Sequence, residues 1–377
     1  MKNKIGDVNS LVPLQKNVLV RVEDSIQITN KIIFNGIENL FNKAFYLVHS
    51  KHLIRSEENY CFLLEYDENY VKRKKFIIGA KCKEDYHIAI DLFTQIIEIK
   101  PDYKSAFHYR GIARSCLKDY KGAIKDHTKA IEIDPKYASA FINRGYAKYF
   151  IDGISKEDVL AEFAKAIEID PNDAFAYYSR GLIKKCLNDY MGAVADYTMA
   201  IKIDPYDPKT YINRGDAKKE IKDYMGALDD YNNAIEVDPI YFQGYINRGD
   251  AKKDISDFEG AIKDYDKAIE IEPNYSFLYL SRGGIKKDLK DFEGAIKDYD
   301  KAIEIDPTNA RNYYHRGNAK DEVKDYMGAF ADYSRAIEME PYDWQFYYNR
   351  SFINKKIGKF KEAEVDFLKF KELLKNK

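Results

Sequence analysis

The side chains of this 377-residue sequence best suited to hold a metal or to work through a thiolate are Cys61, Cys82, Cys116 and Cys186 and the histidine pair His49 and His52. The cysteines form no CxxC pair, so neither a zinc site nor a disulfide framework follows, and reduced, structural thiols are expected. His49 and His52 lack a third ligand. The patterns GxxxxGK[ST], GxSxG and HExxH, which would cradle a phosphate, present a nucleophile or bind a hydrolytic zinc, do not occur. Carboxylates are plentiful, yet they recur at a fixed interval, which sets them on equivalent faces instead of converging them on one cleft. No enzymatic activity, cofactor or metal is expected. A catalytic reading would have to rest on residues 1–69, a short stretch for a catalytic domain.

Sixty-one basic residues oppose 62 acidic ones, so no net field draws the chain to nucleic acid or to an anionic membrane. No run approaches the roughly 18 apolar residues of a membrane-spanning helix, so direct membrane insertion is not expected. The opening MKNKIGDVNSLVPLQKNVLV lacks the continuous apolar stretch of a signal peptide, which makes a cytoplasmic protein the expectation. The basic run VKRKK at 71–75 reads as a solvated segment edge.

The fixed interval is a repeat. Pro101, Pro135, Pro171, Pro205, Pro239, Pro273, Pro307 and Pro341 follow at steps of 34, 36, 34, 34, 34, 34 and 34, and DFEGAIKDYDKAIEI stands identically at 257–271 and 291–305. Units are expected at 104–137, 138–173, 174–207, 208–241, 242–275, 276–309, 310–343 and 344–377, with a divergent unit at 70–103 and a mostly helical segment at 1–69 that caps the array or docks another molecule. Each unit reads as two helices. Tyr279, Leu280, Gly283 and Ile285, then Ala295, Ile296, Tyr299, Ala302 and Ile303, fall at helical spacing. Asp291, like Asp119, Asp189, Asp223, Asp257 and Asp325, stands where a second helix needs an N-cap acceptor, and proline then ends that helix.

Small residues recur where helices must approach. Gly111, Gly145, Gly181, Gly215, Gly249, Gly283 and Gly317 hold one place, and Ala123, Ala193, Ala227, Ala261, Ala295, Ala329 and Ala363 a second. Ala130, Ala166, Ala200, Ala234, Ala268, Ala302 and Ala336 hold a third. Glycine within a helix costs about 0.5–1 kcal/mol relative to alanine, so its repetition needs a gain in packing. Aromatic residues open the first helices, from Phe107 to Tyr347, and sit on the second helices, from His127 to Phe367. This pattern of small residue, small residue, aromatic, alanine and proline on a 34-residue period resembles the tetratricopeptide repeat, strongly over 104–377 and weakly over 70–103. The resemblance implies an all-α fold, a right-handed superhelix (α-solenoid) of helix pairs whose first helices line a concave groove, and a binding scaffold without catalysis of its own.

One departure from the common pattern stands out. Arg110, Arg144, Arg180, Arg214, Arg248, Arg282, Arg316 and Arg350 precede the small residue, and Asp126, Glu162, Asp196, Asp230, Asp264, Asp298, Asp332 and Asp366 follow 16 residues later, or 18 in the unit with the insertion. A structural ladder of Arg–carboxylate pairs is expected.

The groove face that the resemblance implies carries Asn143, Asn213, Asn247 and Asn349 at one level, with Tyr109, Ser179, Ser281 and His315 in the other units. The next level reads Ile112, Tyr146, Leu182, Asp216, Asp250, Gly284, Asn318 and Phe352. Asparagine both donates to and accepts from a peptide backbone, so the row suits an extended chain. The candidate partner-binding residues are Tyr109, Asn143, Tyr146, Tyr178, Leu182, Lys209, Asn213, Asp216, Asn247, Asp250, His315, Asn318 and Asn349. The clamp of lysine, asparagine and arginine by which some family members hold chaperone C-terminal tails is incomplete, since its arginine is absent from every unit; a chaperone tail is therefore disfavoured. The expected function is a protein-binding scaffold or adaptor holding an extended peptide or helix. The alternative is a regulatory or targeting subunit that docks an enzyme or membrane complex through residues 1–69. Arg-Gly-Asp at 214–216 and 248–250 spells a cell-adhesion signal, but its glycines are read as packing residues, so no receptor role is expected.

Overall fold

A computed structural model of the chain describes residues 83–375. The segment 1–69 with His49, His52 and Cys61, and Cys82 and VKRKK, lie outside the described residues. Among the described residues there are seventeen α-helices and no strand. α1 (Lys83–Ile99) precedes eight helix pairs. The first members are α2 (Lys104–Cys116), α4 (Ala138–Tyr149), α6 (Ala174–Cys186), α8 (Pro208–Glu220), α10 (Phe242–Asp254), α12 (Ser276–Asp288), α14 (Ala310–Glu322) and α16 (Trp344–Lys356). The second members are α3 (Tyr120–Ile133), α5 (Lys156–Ile169), α7 (Tyr190–Ile203), α9 (Tyr224–Val237), α11 (Phe258–Ile271), α13 (Phe292–Ile305), α15 (Tyr326–Met339) and α17 (Phe360–Lys375). The architecture is an all-α solenoid of tandem helix pairs. It forms two compact units, one ending at Asp170 with α5 and one beginning at Pro171 before α6.

Local chemistry fixes each pair. The Asp291 carboxylate accepts the Gly294 N–H at 3.0 Å and caps α13, while the Asp291 N–H bonds back to the Lys286 carbonyl at 2.8 Å and closes α12. One residue thus serves two helices, an arrangement repeated at Asp119, Asp189, Asp223, Asp257 and Asp325. The residue before it turns the chain in the left-handed region, with φ of 63–65° at Lys118, Asn188, Lys222, Ser256, Lys290 and Lys324. Only the last unit places glycine there, Gly358. At the far end of each second helix the residue before proline is extended, as Asp134 is at φ −134° and ψ 97°, because proline excludes the helical region from its predecessor.

Between the two helices of a pair, glycine meets an aromatic ring. A Cβ added at Gly215 would lie 2.6 Å from Tyr231 Cε1, and one at Gly317 2.8 Å from Tyr333 Cε1. Tyr197, Tyr231, Tyr265 and Tyr299 are wholly buried. Within each unit every helix packs on its successor, and first helices also meet one another directly: α2 with α4, α6 with α8, α8 with α10, α12 with α14, and α14 with α16. No second helix packs comparably on another second helix. The first helices therefore form the inner side.

Candidate partner-binding face

The Arg–carboxylate pairs form in all eight helix pairs. Arg248 is representative: Nε and Nη2 donate to the two oxygens of Asp264 at 3.0 and 2.6 Å, and Nη1 donates to Asn232 of the preceding second helix at 2.8 Å. Its guanidinium lies 5.6 Å from the centroid of the Tyr245 ring. The aromatic openers, read from sequence as core filling, therefore also carry the arginines by cation–π contact. The Tyr245 hydroxyl donates to the Pro239 carbonyl at 3.2 Å, and Tyr279, Tyr313 and Tyr347 repeat the contact, pinning each opener to the preceding turn.

The sequence reading missed a second cation. Lys252 Nζ reaches the Asp264 carboxylate at 2.9 Å, and Arg114, Lys148, Lys184, Lys218, Lys286 and Lys320 occupy the same place in other units. In the last pair it is Asn354, which donates to Asp366 at 2.9 Å. The carboxylates are buried, so full pairing with hydrogen bonds is what makes their burial tolerable.

The inner face is organised by bonds between first helices. The Asn213 amide nitrogen donates to Tyr178 Oη at 3.2 Å, and its amide oxygen accepts from Lys185 at 2.8 Å. Asn247 donates to Asp216 at 2.8 Å, Gln243 donates to the Asn247 oxygen at 2.7 Å, and Lys185 lies 3.3 Å from Asp216. Asn349 donates to Asn318 at 2.8 Å and to Tyr314 at 3.2 Å. Second-helix tyrosines complete the set from below, Tyr231 donating to Asp216 at 2.9 Å, Tyr265 to Asp250 at 2.7 Å and Tyr333 to Asn318 at 2.7 Å. Burial and then the neighbouring Asp216 or Asp250 charge push the Tyr231 and Tyr265 hydroxyls far up, which keeps them proton donors.

The thirteen sequence-predicted residues thus divide. Asn143, Tyr146, Tyr178 and Leu182 are buried, and the Asn143 amide donates to the Ser139 carbonyl of its own helix at 3.0 Å. Lys209 is exposed, while Tyr109, Asn213, Asp216, Asn247, Asp250, His315, Asn318 and Asn349 are half-buried. Tyr109, Asn143 and Tyr146 belong to the unit ending at Asp170 and the others to the unit beginning at Pro171. Residues 213 to 250 and 314 to 349 are brought together as two hydrogen-bonded bands. His315 sits 6.0 Å from Tyr299, ring to ring, and its imidazole is pushed down to about 4 by burial and by the Lys287 and Arg311 charges, so it is neutral at physiological pH. The residues that sequence reasoning missed are Lys185, Gln243 and the hydroxyls of Tyr231, Tyr265 and Tyr333. The Arg-Gly-Asp triplets lie inside α8 and α10, with Arg214 and Arg248 paired to Asp230 and Asp264. Among the described residues no three His, Cys, Asp or Glu side chains are grouped to hold a metal ion, and no helix is long and apolar enough to cross a membrane.

Comparison with known proteins agrees with this geometry. Residues 283–320 match a family model described as TPR repeat, and residues 162–195 and 242–275 match models described as tetratricopeptide repeat. The chain is a tetratricopeptide repeat protein. No curated protein matches it. Among solved structures, yeast Tom70 superposes with a TM-score of 0.53 at 17% identity, covering 94% of this chain and 76% of that one. MamA from Desulfovibrio magneticus RS-1 gives 0.43 at 20% identity over 45% of this chain and 96% of its own. YrrB, whose structure is described as a TPR protein with an unusual peptide-binding site, gives 0.40 at 23% identity over 48% of this chain and 92% of its own.

Proposed function

We propose that the chain is a non-catalytic scaffold or adaptor, acting in the cytoplasm, whose inner first-helix face from α8 to α16 holds an extended peptide or a helix of a protein partner. The eight units from residue 104 onward divide as their repeat period suggests. The observation that carries the reading is the pair of hydrogen-bonded bands. Asn213, Asp216 and Asn247, and further along Asn318 and Asn349, are half-exposed yet already held by bonds between neighbouring first helices, and Asp250 by Tyr265 of its own pair. Fixed amide and carboxylate groups bind a peptide backbone with little further loss of side-chain entropy. The balanced charge disfavours nucleic acid, and the incomplete clamp disfavours a chaperone tail.

Affinity purification of the full chain from its source, followed by cross-linking and mass spectrometry, tests this. Partner cross-links are expected on α8 to α16, with partner recovery reduced for Lys209→Glu, a change at an exposed side chain, and for the pair Asn213→Ala and Asn247→Ala. Cross-links confined to residues 1–69, with all partners retained by these variants, would replace the groove by the docking-segment alternative.

A further inference from the structure

The rule by which Tyr231, Tyr265 and Tyr333 are satisfied does not hold at Tyr299. Tyr231, Tyr265 and Tyr333 each donate to an oxygen acceptor one residue after the packing glycine, namely Asp216, Asp250 and Asn318. In α12 that place is Gly284. Tyr299, the equivalent tyrosine of α13, is wholly buried and its hydroxyl has no hydrogen-bond partner. Its ring is held in the same register, since a Cβ on Gly283 would lie 2.7 Å from Tyr299 Cε1. A Cβ on Gly284 would meet nothing within 4 Å. The inner face therefore has a notch at Gly284 with an unsatisfied donor at its floor.

Burying an unpaired hydroxyl is unfavourable, so an acceptor entering the notch gains what the sister units gain internally. Burial, then the Asp288 and Asp298 charges, push the Tyr299 hydroxyl up, so it stays a donor. Two of the three sister acceptors are carboxylates. Lys287 stands on the same helix, its ammonium 3.5 Å from Asp288, a looser contact than the buried pairs of the ladder, and its charge is felt at His315 beside the Tyr299 ring. We propose that the Gly284 notch is a side-chain subsite of the binding face, taking an aspartate or glutamate of the partner peptide as the acceptor for the Tyr299 hydroxyl with Lys287 beside it. This rests on the groove reading above and assigns it a residue-level preference.

The test uses the full chain and linear peptides selected from a random phage-displayed library, measured by fluorescence anisotropy. Peptides sharing one Asp or Glu are expected to bind about tenfold more weakly to Tyr299→Phe. They are expected to lose more on Gly284→Asp, which supplies the acceptor from within. Changing that peptide acid to Ala should cost the same factor on the unaltered chain and nothing further on Tyr299→Phe. Gly284→Asp should also raise the melting temperature, as the new carboxylate satisfies Tyr299; a lowered one would show that the notch cannot receive an acceptor and would overturn the proposal. Peptides weakened by Lys209→Glu but indifferent to both notch variants leave the groove reading standing and the notch holding only water, which overturns the subsite. Peptides indifferent to all three variants, or a library yielding no binder, overturn both.

Discussion

Removing the arginine of the ladder should have unequal consequences in different units, and the inequality can be worked from the structure. In α10, Arg248→Leu leaves Asp264 with Lys252 at 2.9 Å, so the buried carboxylate keeps a cation, and its net cost should be small, about 1 kcal/mol. In α16, Arg350→Leu leaves Asp366 with only the neutral Asn354 amide at 2.9 Å, while the Asp366 side chain is 5% exposed. Stranding a buried charge costs about 3–5 kcal/mol, and the lower end applies because the Asn354 amide still donates to the carboxylate, so about 3 kcal/mol is expected. Arg350 also stacks 5.9 Å from the Tyr347 and Phe330 centroids, contacts the leucine does not restore. The assay is amide hydrogen exchange over α10–α11 and α16–α17, which reads local opening in an array whose repeats need not unfold together. Fluorescence of Trp344, the single tryptophan, 5.6 Å from the Phe370 ring, reports the last pair independently. Equal losses at the two sites, or an Arg350→Leu protein more protected than the original, would refute the claim that the second cation is what spares the inner units.

Other outcomes follow from the turns and the buried imidazoles. Lys290 adopts φ 64°, a region that costs a β-carbon-bearing residue about 1–2 kcal/mol, so Lys290→Gly should raise the unfolding free energy read from urea denaturation by a net of about 0.5–1 kcal/mol after glycine's entropy is counted, whereas Lys290→Ala should not. His127 is wholly buried and held well below its usual range by burial, then by His108 and Arg144. It folds neutral, so the stability it contributes is complete above the unfolded value near 6.5 and is lost as pH falls below it. Its unit should therefore be less stable at pH 5 than at pH 7. His127→Phe, the residue Phe163 supplies at the same place, should flatten that dependence in pH-stepped denaturation.

Most of the scaffold was legible because each of its devices recurs. Glycine against an aromatic, aspartate before a second helix and arginine at a constant distance from an acid are visible as periodic spacings, and the structure realises each. What stayed hidden has a physical reason. Lys252 and its counterparts look like solvated surface charge, and only packing shows that their ammonium groups turn inward to a buried carboxylate. Nothing about lysine announces a left-handed turn at Lys118, Lys222, Lys290 and Lys324; Asn188, Gly153 and Gly358 carry the usual signal. The asparagines looked available to a partner. Asn247 and Asp216 also bond each other across one repeat, a spacing invisible to any single-helix face.

The third arm of the ladder arginines has a consequence for how such a chain changes length. The acceptors it finds on the preceding second helix are Thr94, Thr128, Thr198, Asn232, Asp266, Asp300 and Ser334, chemically varied but all able to receive an N–H. Pairs built this way can follow one another without orphaning a guanidinium; Arg180 departs from the rule, since the equivalent residue is Ala164 and its guanidinium donates to Asp196 alone among the described residues. Where a stretch repeats identically, as at 257–271 and 291–305, adding or removing one whole period would leave the arginine of the next pair an acceptor of the same kind, so the junction stays chemically complete whichever copy precedes it.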